Sequence, residues 1–212
     1  MTHLFLTSSI GTPGVGESIR AQLGHTRPLK TIFITTPVEP KDEQVDLSWY
    51  ETDRAALSAS GFVFTDYTLT GKNSSQVKQD LAGYEAIYVS GGNTNYLLEQ
   101  SQKSGFLPLI TDFVNSGKIY LSTSAGSIIA GPNLPPYLRK DDRGVFNLTD
   151  YSGYNLVNFT VLPHWGSPHF AAKYLGGRIK QIYDSKQPFI LLNDHQYLAV
   201  QDQSFQIIDV SK

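Results

Sequence analysis

The sequence contains no cysteine. That excludes disulfides, a thiol nucleophile and a thiolate metal site. Charge is also sparse: 17% of the residues are Asp, Glu, Lys or Arg, and the formal net charge is −2. Such a balance gives no reason to expect nucleic acid or an anionic membrane as partner. No stretch approaches the roughly 20 apolar residues that a membrane helix requires. The opening Met1-Thr-His-Leu-Phe-Leu-Thr-Ser-Ser has no basic segment, and its apolar run is too short for a signal peptide. No pair of histidines or carboxylates shows helical ligand spacing, although His164 and His169 are close, so no metal and no cofactor is expected. These absences together describe a cytoplasmic soluble protein.

What is present is the composition of an ordinary globular protein, 212 residues with 40% hydrophobic side chains. That length suits a single α/β domain over residues 1–212. Short apolar, β-prone runs occur at Leu4–Ser8, Thr31–Thr35, Phe62–Leu69, Ala86–Ser90 and Asn158–Leu162. Helical patterns lie between them, at 45–60, Ser74–Leu81, Asn95–Lys103, Leu107–Ser116 and Phe170–Asp184. In the first of these, Leu47, Tyr50, Arg54 and Leu57 fall at helical spacing. Three short terminal strands, Phe189–Leu192, Gln196–Val200 and Ser204–Ile208, read as antiparallel. There are no repeats and no interdomain linker. Strands alternating with helices imply a three-layer fold, a mostly parallel sheet with helices on both faces.

One glycine-rich loop invites a nucleotide-binding test. Gly11, Gly16 and Ser18 fit the spacing of a P-loop, but Glu17 stands where its lysine belongs and would repel phosphate. A plain turn from strand to helix is the better reading.

The stretch 118–131, KIYLSTSAGSIIAG, organises the rest. Its first half is a buried-strand pattern and its second half has a helix-compatible apolar face. Between them lie Ser122, Ser124, Ala125 and Gly126, small enough for a tight, strained turn. That is the logic of the nucleophile elbow G-x-S-x-G, here with Ser122 in the first glycine's place. Ser124 at the apex would sit at a helix N-terminus, where free N–H groups favour negative charge.

A serine nucleophile needs a base, an orienting carboxylate and an oxyanion hole. Of five histidines, His3 and His25 precede strand candidates, on the face opposite the expected site. His164 follows a strand end, where a catalytic base in an open α/β sheet should stand. His169 is close by, and His195 lies in a turn. Gly91-Gly92 also closes a strand, and glycine lets backbone N–H groups approach a substrate. For the carboxylate, Asp194, Asp150, Asp141 and Asp142 all lie in loops, and spacing does not choose among them.

In Tyr88-Val-Ser-Gly-Gly-Asn-Thr-Asn-Tyr-Leu-Leu98, Tyr120-Leu-Ser-Thr-Ser-Ala-Gly126, Asn147-Leu-Thr-Asp-Tyr151 and Leu162-Pro-His164, the chain resembles the peptidase E (aspartyl dipeptidase) and cyanophycinase family of serine peptidases. The likeness runs from Leu4 to about Val200 and is closest to short bacterial peptidase E-like proteins. It implies a flavodoxin-like sheet of the class I glutamine-amidotransferase type. It also implies Ser124 as nucleophile, His164 as base, and Gly92 and Ala125 as backbone oxyanion donors, with Gly91 and Asn93 beside them. The third member in the dipeptidase is a glutamate in a late turn before a strand, a place that Asp194 occupies here. The dipeptidase also carries an arginine, suited to an aspartyl substrate, in the helix after its histidine. The equivalent place here falls near Leu175, with Arg178 a turn later.

The expected function is therefore hydrolysis of short peptides by a Ser-His-Asp triad in a monomer or homodimer. The alternatives are an ester or amide hydrolase of the same machinery and a non-catalytic small-molecule binding domain. The loop 132–147 and the helix from Phe170 are expected to cover the nucleophile. Arg139, Arg143, Lys173 and Arg178 are the available cations, and Asp141, Asp142 and Asp150 are the available anions for a substrate amine.

Overall fold

The structure, a computed structural model, describes residues 2–24, 26–40, 46–139, 146, 148–202 and 204–211. His25, Asp141, Asp142 and Arg143 thus lie outside the described residues. The chain runs β1 (His3–Thr7), α1 (Val15–Leu23), β2 (Leu29–Ile34), α2 (Ser48–Ala59), β3 (Phe62–Tyr67), α3 (Ser74–Asp80) and β4 (Ala86–Val89). It continues through α4 (Thr94–Lys103), α5 (Phe106–Asn115), β5 (Ile119–Thr123), α6 (Ala125–Ile129), α7 (Pro136–Arg139) and β6 (Thr160–Leu162). The last part is α8 (Pro168–Lys173), α9 (Ile179–Tyr183), β7 (Phe189–Leu191), β8 (Gln196–Gln201) and β9 (Ser204–Asp209).

Seven strands form the central sheet in the order β3-β2-β4-β5-β1-β8-β9. The first five run parallel, while β8 pairs antiparallel with both β1 and β9. Every residue of β4 and β5 is buried, as parallel strands covered on both faces require. Alternation along the strands divides the core in two. Leu4, Leu6, Ile32, Ile34, Ile87 and Val89 point to one face, where α3, α4, α5 and α6 cover them. Phe5, Phe33, Tyr88, Leu121 and Tyr197 point to the other, where α1 and α2 lie. This is the expected three-layer, flavodoxin-like α/β arrangement. Among the described residues no helix is long and apolar enough to cross a membrane.

Two expectations need correction. The terminal strands are not all antiparallel: β7 leaves the central sheet and pairs parallel with β6 in a separate two-stranded sheet. The helix expected at Phe170–Asp184 is interrupted by a π-type turn at Tyr174–Arg178 that separates α8 from α9. Gly176-Gly177 falls inside that turn, and two adjacent glycines weaken α-helical continuity by about 1 kcal/mol each. In α2 the buried stripe runs through Asp53 and Leu57. Arg54 instead lies over the rings of Phe33, Tyr50 and Phe64 and pairs with Asp66 at 2.7 Å.

Candidate active site

The parallel strands β1, β4 and β5 are neighbours, so their carboxyl ends converge on one edge of the sheet, where open α/β folds place ligands. β5 turns directly into α6 at Ser124, whose backbone is φ 47, ψ −104. Positive φ is uncommon for a residue with a side chain and costs on the order of 1–3 kcal/mol. The surroundings hold it there. Ser124 N–H donates to Thr7 O at 3.1 Å, and Ser124 O accepts from the N–H groups of Ser127 and Ile128 at 3.0 Å each. The start of α6 packs so closely on β4 that a Cβ at Gly126 would stand 2.3 Å from Val89 O. Ser122, in the place of the first elbow glycine, is fully buried and its hydroxyl bonds Ser127 Oγ at 2.9 Å. The turn therefore accommodates a serine there.

His164 enters from the small sheet, two residues beyond β6, with φ 63. The strand end that carries it is thus not part of the central sheet, but Trp165 N–H to Leu192 O at 2.9 Å and Leu192 N–H to Leu162 O at 3.0 Å fix its position. Phe170 stacks on the imidazole, ring centroids 4.4 Å apart and planes within 9°. His164 Nε2 lies 2.9 Å from Ser124 Oγ, and Nδ1 lies 2.7 Å from Asp194 Oδ1. Asp194 stands in the turn between β7 and β8, closed by Gln196 N–H to Asn193 O at 3.1 Å. Burial acts to raise its pKa, but hydrogen bonds from His164 and Ser8 and the nearby histidines outweigh it, so the carboxyl titrates below its ordinary range.

Gly91, Gly92 and Asn93 follow β4. Gly92 has φ 126, and a Cβ on it would stand 2.4 Å from Pro37 O, so only glycine fits. Asn93 N–H donates to Pro37 O at 2.8 Å, and its side chain caps α4 by accepting from Tyr96 N–H at 2.9 Å. Gly91 lies directly against Ser124: a Cβ there would meet Ser124 Cβ at 3.3 Å. Ala125 is the first residue of α6, and the first amides of a helix have no intrahelical partner.

The other candidates lie elsewhere. Asp150 is exposed and accepts from Ser152 N–H at 2.9 Å. His3 opens β1 at the opposite end of the sheet, His169 packs edge-on to Phe170, and His195 is exposed. Arg139 Nε donates to Leu134 O at 3.1 Å, Lys173 lies over Phe170, and Arg178 lies 4.3 Å from the centroid of Tyr137. Leu175 is 79% exposed. Among the described residues no three His, Cys, Asp or Glu side chains gather as metal ligands would.

A profile for peptidase family S51 matches residues 4–208. The chain belongs to peptidase family S51. An uncharacterized peptidase of Listeria monocytogenes is 30% identical over 204 residues, covering 94% of this chain and 95% of that one. One from Pasteurella multocida is 30% identical over 206 residues, 96% of each. Peptidase E of Escherichia coli is 33% identical over 81 residues, 38% of this chain and 34% of that one. Among solved structures, a peptidase E candidate from Listeria monocytogenes superposes over the full length of both chains with TM-score 0.85 and 25% identity. A peptidase from an acI-B1 actinobacterium shares the fold, with TM-score 0.75 at 16% identity, over 99% of this chain and 88% of its own.

Family S51 membership makes the chain a peptidase, and the structure adds residues around its site that the sequence reading did not single out. Ser8 Oγ accepts from His164 N–H at 2.7 Å and donates to Asp194 Oδ1 at 2.8 Å. Its signal was its place at the carboxyl end of β1, next to β5. Asp53 is buried beneath the β1–α1 loop, accepting from Gly11 N–H at 2.9 Å and Tyr88 OH at 2.8 Å. Burial pushes its pKa up to about 6, although both hydrogen bonds and the nearby His164 act to lower it.

Proposed function

We propose that this S51 peptidase is of the serine type and hydrolyses short peptides. The observation that carries the reading is the continuous line from Ser124 Oγ through His164 to Asp194, 2.9 Å and 2.7 Å long in its two steps. Three separate strand-end loops supply its members. Both distances lie within hydrogen-bond reach, as proton transfer requires.

Ser124 Oγ attacks the scissile carbonyl as His164 Nε2 takes its proton, forming the Oγ–C bond. Asp194 accepts from Nδ1–H, holding the productive tautomer and stabilising the imidazolium. The Gly92 and Ala125 N–H groups receive the developing oxyanion, one such donor being worth roughly 3 kcal/mol. Collapse breaks the C–N bond, and His164 passes its proton to the leaving amine. Water, deprotonated by the same imidazole, then releases the acyl group.

A fluorophosphonate probe followed by a dipeptide panel tests this. Labelling of the wild type and none of Ser124→Ala, with dipeptide turnover, is the expected result. Labelling with ester but no peptide turnover would reassign the site to an esterase. Absence of labelling in the folded wild type would leave a binding domain.

A further inference from the structure

Beside the nucleophile lies a cavity of about 330 Å³ that the hydrolytic line does not use. It is walled by the β1–α1 loop (Ser9, Gly11, Thr12) and the first turns of α2 (Trp49, Thr52, Asp53). Trp49 brings it to the active serine. A Cβ built on Gly91 would stand 3.2 Å from the edge of the indole and 3.3 Å from Ser124 Cβ, so the ring and the nucleophile are close neighbours on either side of that glycine.

The cavity's chemistry is set by Asp53. The residue is 2% exposed, and its two carboxyl oxygens accept from Gly11 N–H and Tyr88 OH. Two donors favour the ionised form, yet among the described residues no lysine or arginine pairs with it; Arg54, the next residue, is committed to Asp66. A buried carboxylate without a counter-charge is costly, and a cation brought by a ligand would offset that cost. Gly11 fits the same arrangement. A side chain there would sit 2.8 Å from Asp53 Oδ1 and 2.9 Å from Thr52 Cγ2, closing the loop's approach to the acid. This accounts for a glycine that nucleotide binding does not.

We propose that this cavity recognises a cationic side chain of the peptide substrate, lysine or arginine, with Asp53 as counter-charge and Trp49 as an aromatic wall. An ammonium or guanidinium against an indole face gains cation–π attraction besides the ion pair. The volume is at the lower end of ligand sites and suits one side chain. The inference rests on the peptidase reading of Ser124 and extends it to substrate class.

The test measures binding apart from turnover. Ser124→Ala is titrated by calorimetry at pH 7.5 with Lys-Leu and Leu-Lys, each against its norleucine isostere. A lysine-over-norleucine ratio of tenfold or more in one of the two positions is expected, falling to threefold or less when Asp53→Asn is added. Should that double variant fail to fold, Thr52→Lys, an exposed substitution at the rim, places a fixed cation in the cavity and should abolish the ratio equally. Equal affinity for both members of each pair, no peptide binding at all, or a lysine preference that survives both substitutions overturns the proposal. Fluorophosphonate labelling of the wild type is read in parallel. Lysine-selective binding without labelling defeats the hydrolase reading and leaves the pocket standing. Labelling with equal affinities defeats the pocket alone.

Discussion

The hydroxyl of Ser8 donates a 2.8 Å hydrogen bond to Asp194 Oδ1, the same oxygen that His164 Nδ1 meets at 2.7 Å. It also accepts from the His164 amide, so one fully buried hydroxyl ties the carboxylate to the backbone of the histidine. Ser8→Ala leaves that amide unsatisfied and loosens Asp194. The expected cost is about 1–3 kcal/mol of stability. Turnover should fall by roughly tenfold through kcat, with KM nearly unchanged, because the ground-state contacts to substrate remain. Chemical denaturation and steady-state kinetics check both.

Asp194→Asn should lower kcat by roughly 10³–10⁴-fold with the fold intact, since the amide can hold the wrong tautomer of His164. A pH signature accompanies it. The depressed pKa of Asp194 contributes stability above the unfolded carboxyl pKa of 3.8, lost as pH falls through the lower folded value. Wild type should therefore lose its stability advantage over the variant below about pH 4. Near-normal turnover in the variant would move the role to another group.

Much of this site could be read from the sequence because strand ends are easy to locate. The apolar runs that became β1, β2, β4 and β5 put Ser124 and Gly91-Gly92 at carboxyl ends, and the late turn put Asp194 before β8. Resemblance chose Asp194 among the loop aspartates; spacing did not. Strands β6 and β7 are three residues each, too short for an alternation pattern to announce a partner or a direction. Asp53 escaped because it and Arg54 lie four and three residues before Leu57, positions equally compatible with one helix face. Only the packing decides which of the two charges turns inward, and here an aromatic cluster holds the arginine outside.

Gly92→Ala would disrupt the loop after β4. The new Cβ would stand 2.4 Å from Pro37 O at a φ of 126, so the chain must shift. Strain at such a position costs roughly 1–3 kcal/mol, and steric overlap adds to it. Thermal unfolding should drop by several degrees. If the Gly92 N–H serves the oxyanion, kcat should fall by about 10²-fold or more in the fraction that stays folded.

Asp53 gives stability the opposite pH sign. Its folded pKa of about 6 lies above the ordinary 3.8. Its contribution is therefore fully present below pH 3.8 and lost as pH rises through 6. Ionising it in the fold costs roughly 3 kcal/mol relative to the unfolded chain, the hydrogen bonds from Gly11 and Tyr88 already offsetting part of the burial. Denaturant midpoints of wild type and Asp53→Asn, compared from pH 4 to pH 8, should show wild type losing ground up to about pH 6 and a constant difference above it. A flat difference would mean that Asp53 stays in one protonation state throughout.

Specificity for an aspartyl N-terminus should be absent. Leu175, near the place where the resemblance would put the dipeptidase arginine, is 79% exposed and apolar. Arg178, a turn later, lies over Tyr137 and Tyr174. The acid nearest the nucleophile's cavity, Asp53, would repel a substrate carboxylate. Among the described residues Lys173 is a cation close to the site, its ammonium 5.1 Å from the centroid of Phe170, the ring stacked on His164. Its partner there is a ring face near solvent, a weak anchor for discrimination. Hydrolysis of Asp-Leu, Ala-Leu and Gly-Leu should therefore agree within about tenfold in kcat/KM. A preference for Asp-Leu above about a hundredfold corresponds to some 2.7 kcal/mol of differential transition-state binding. That result would show that another cation has taken over the role, and loss of the preference in Lys173→Ala would identify it as Lys173.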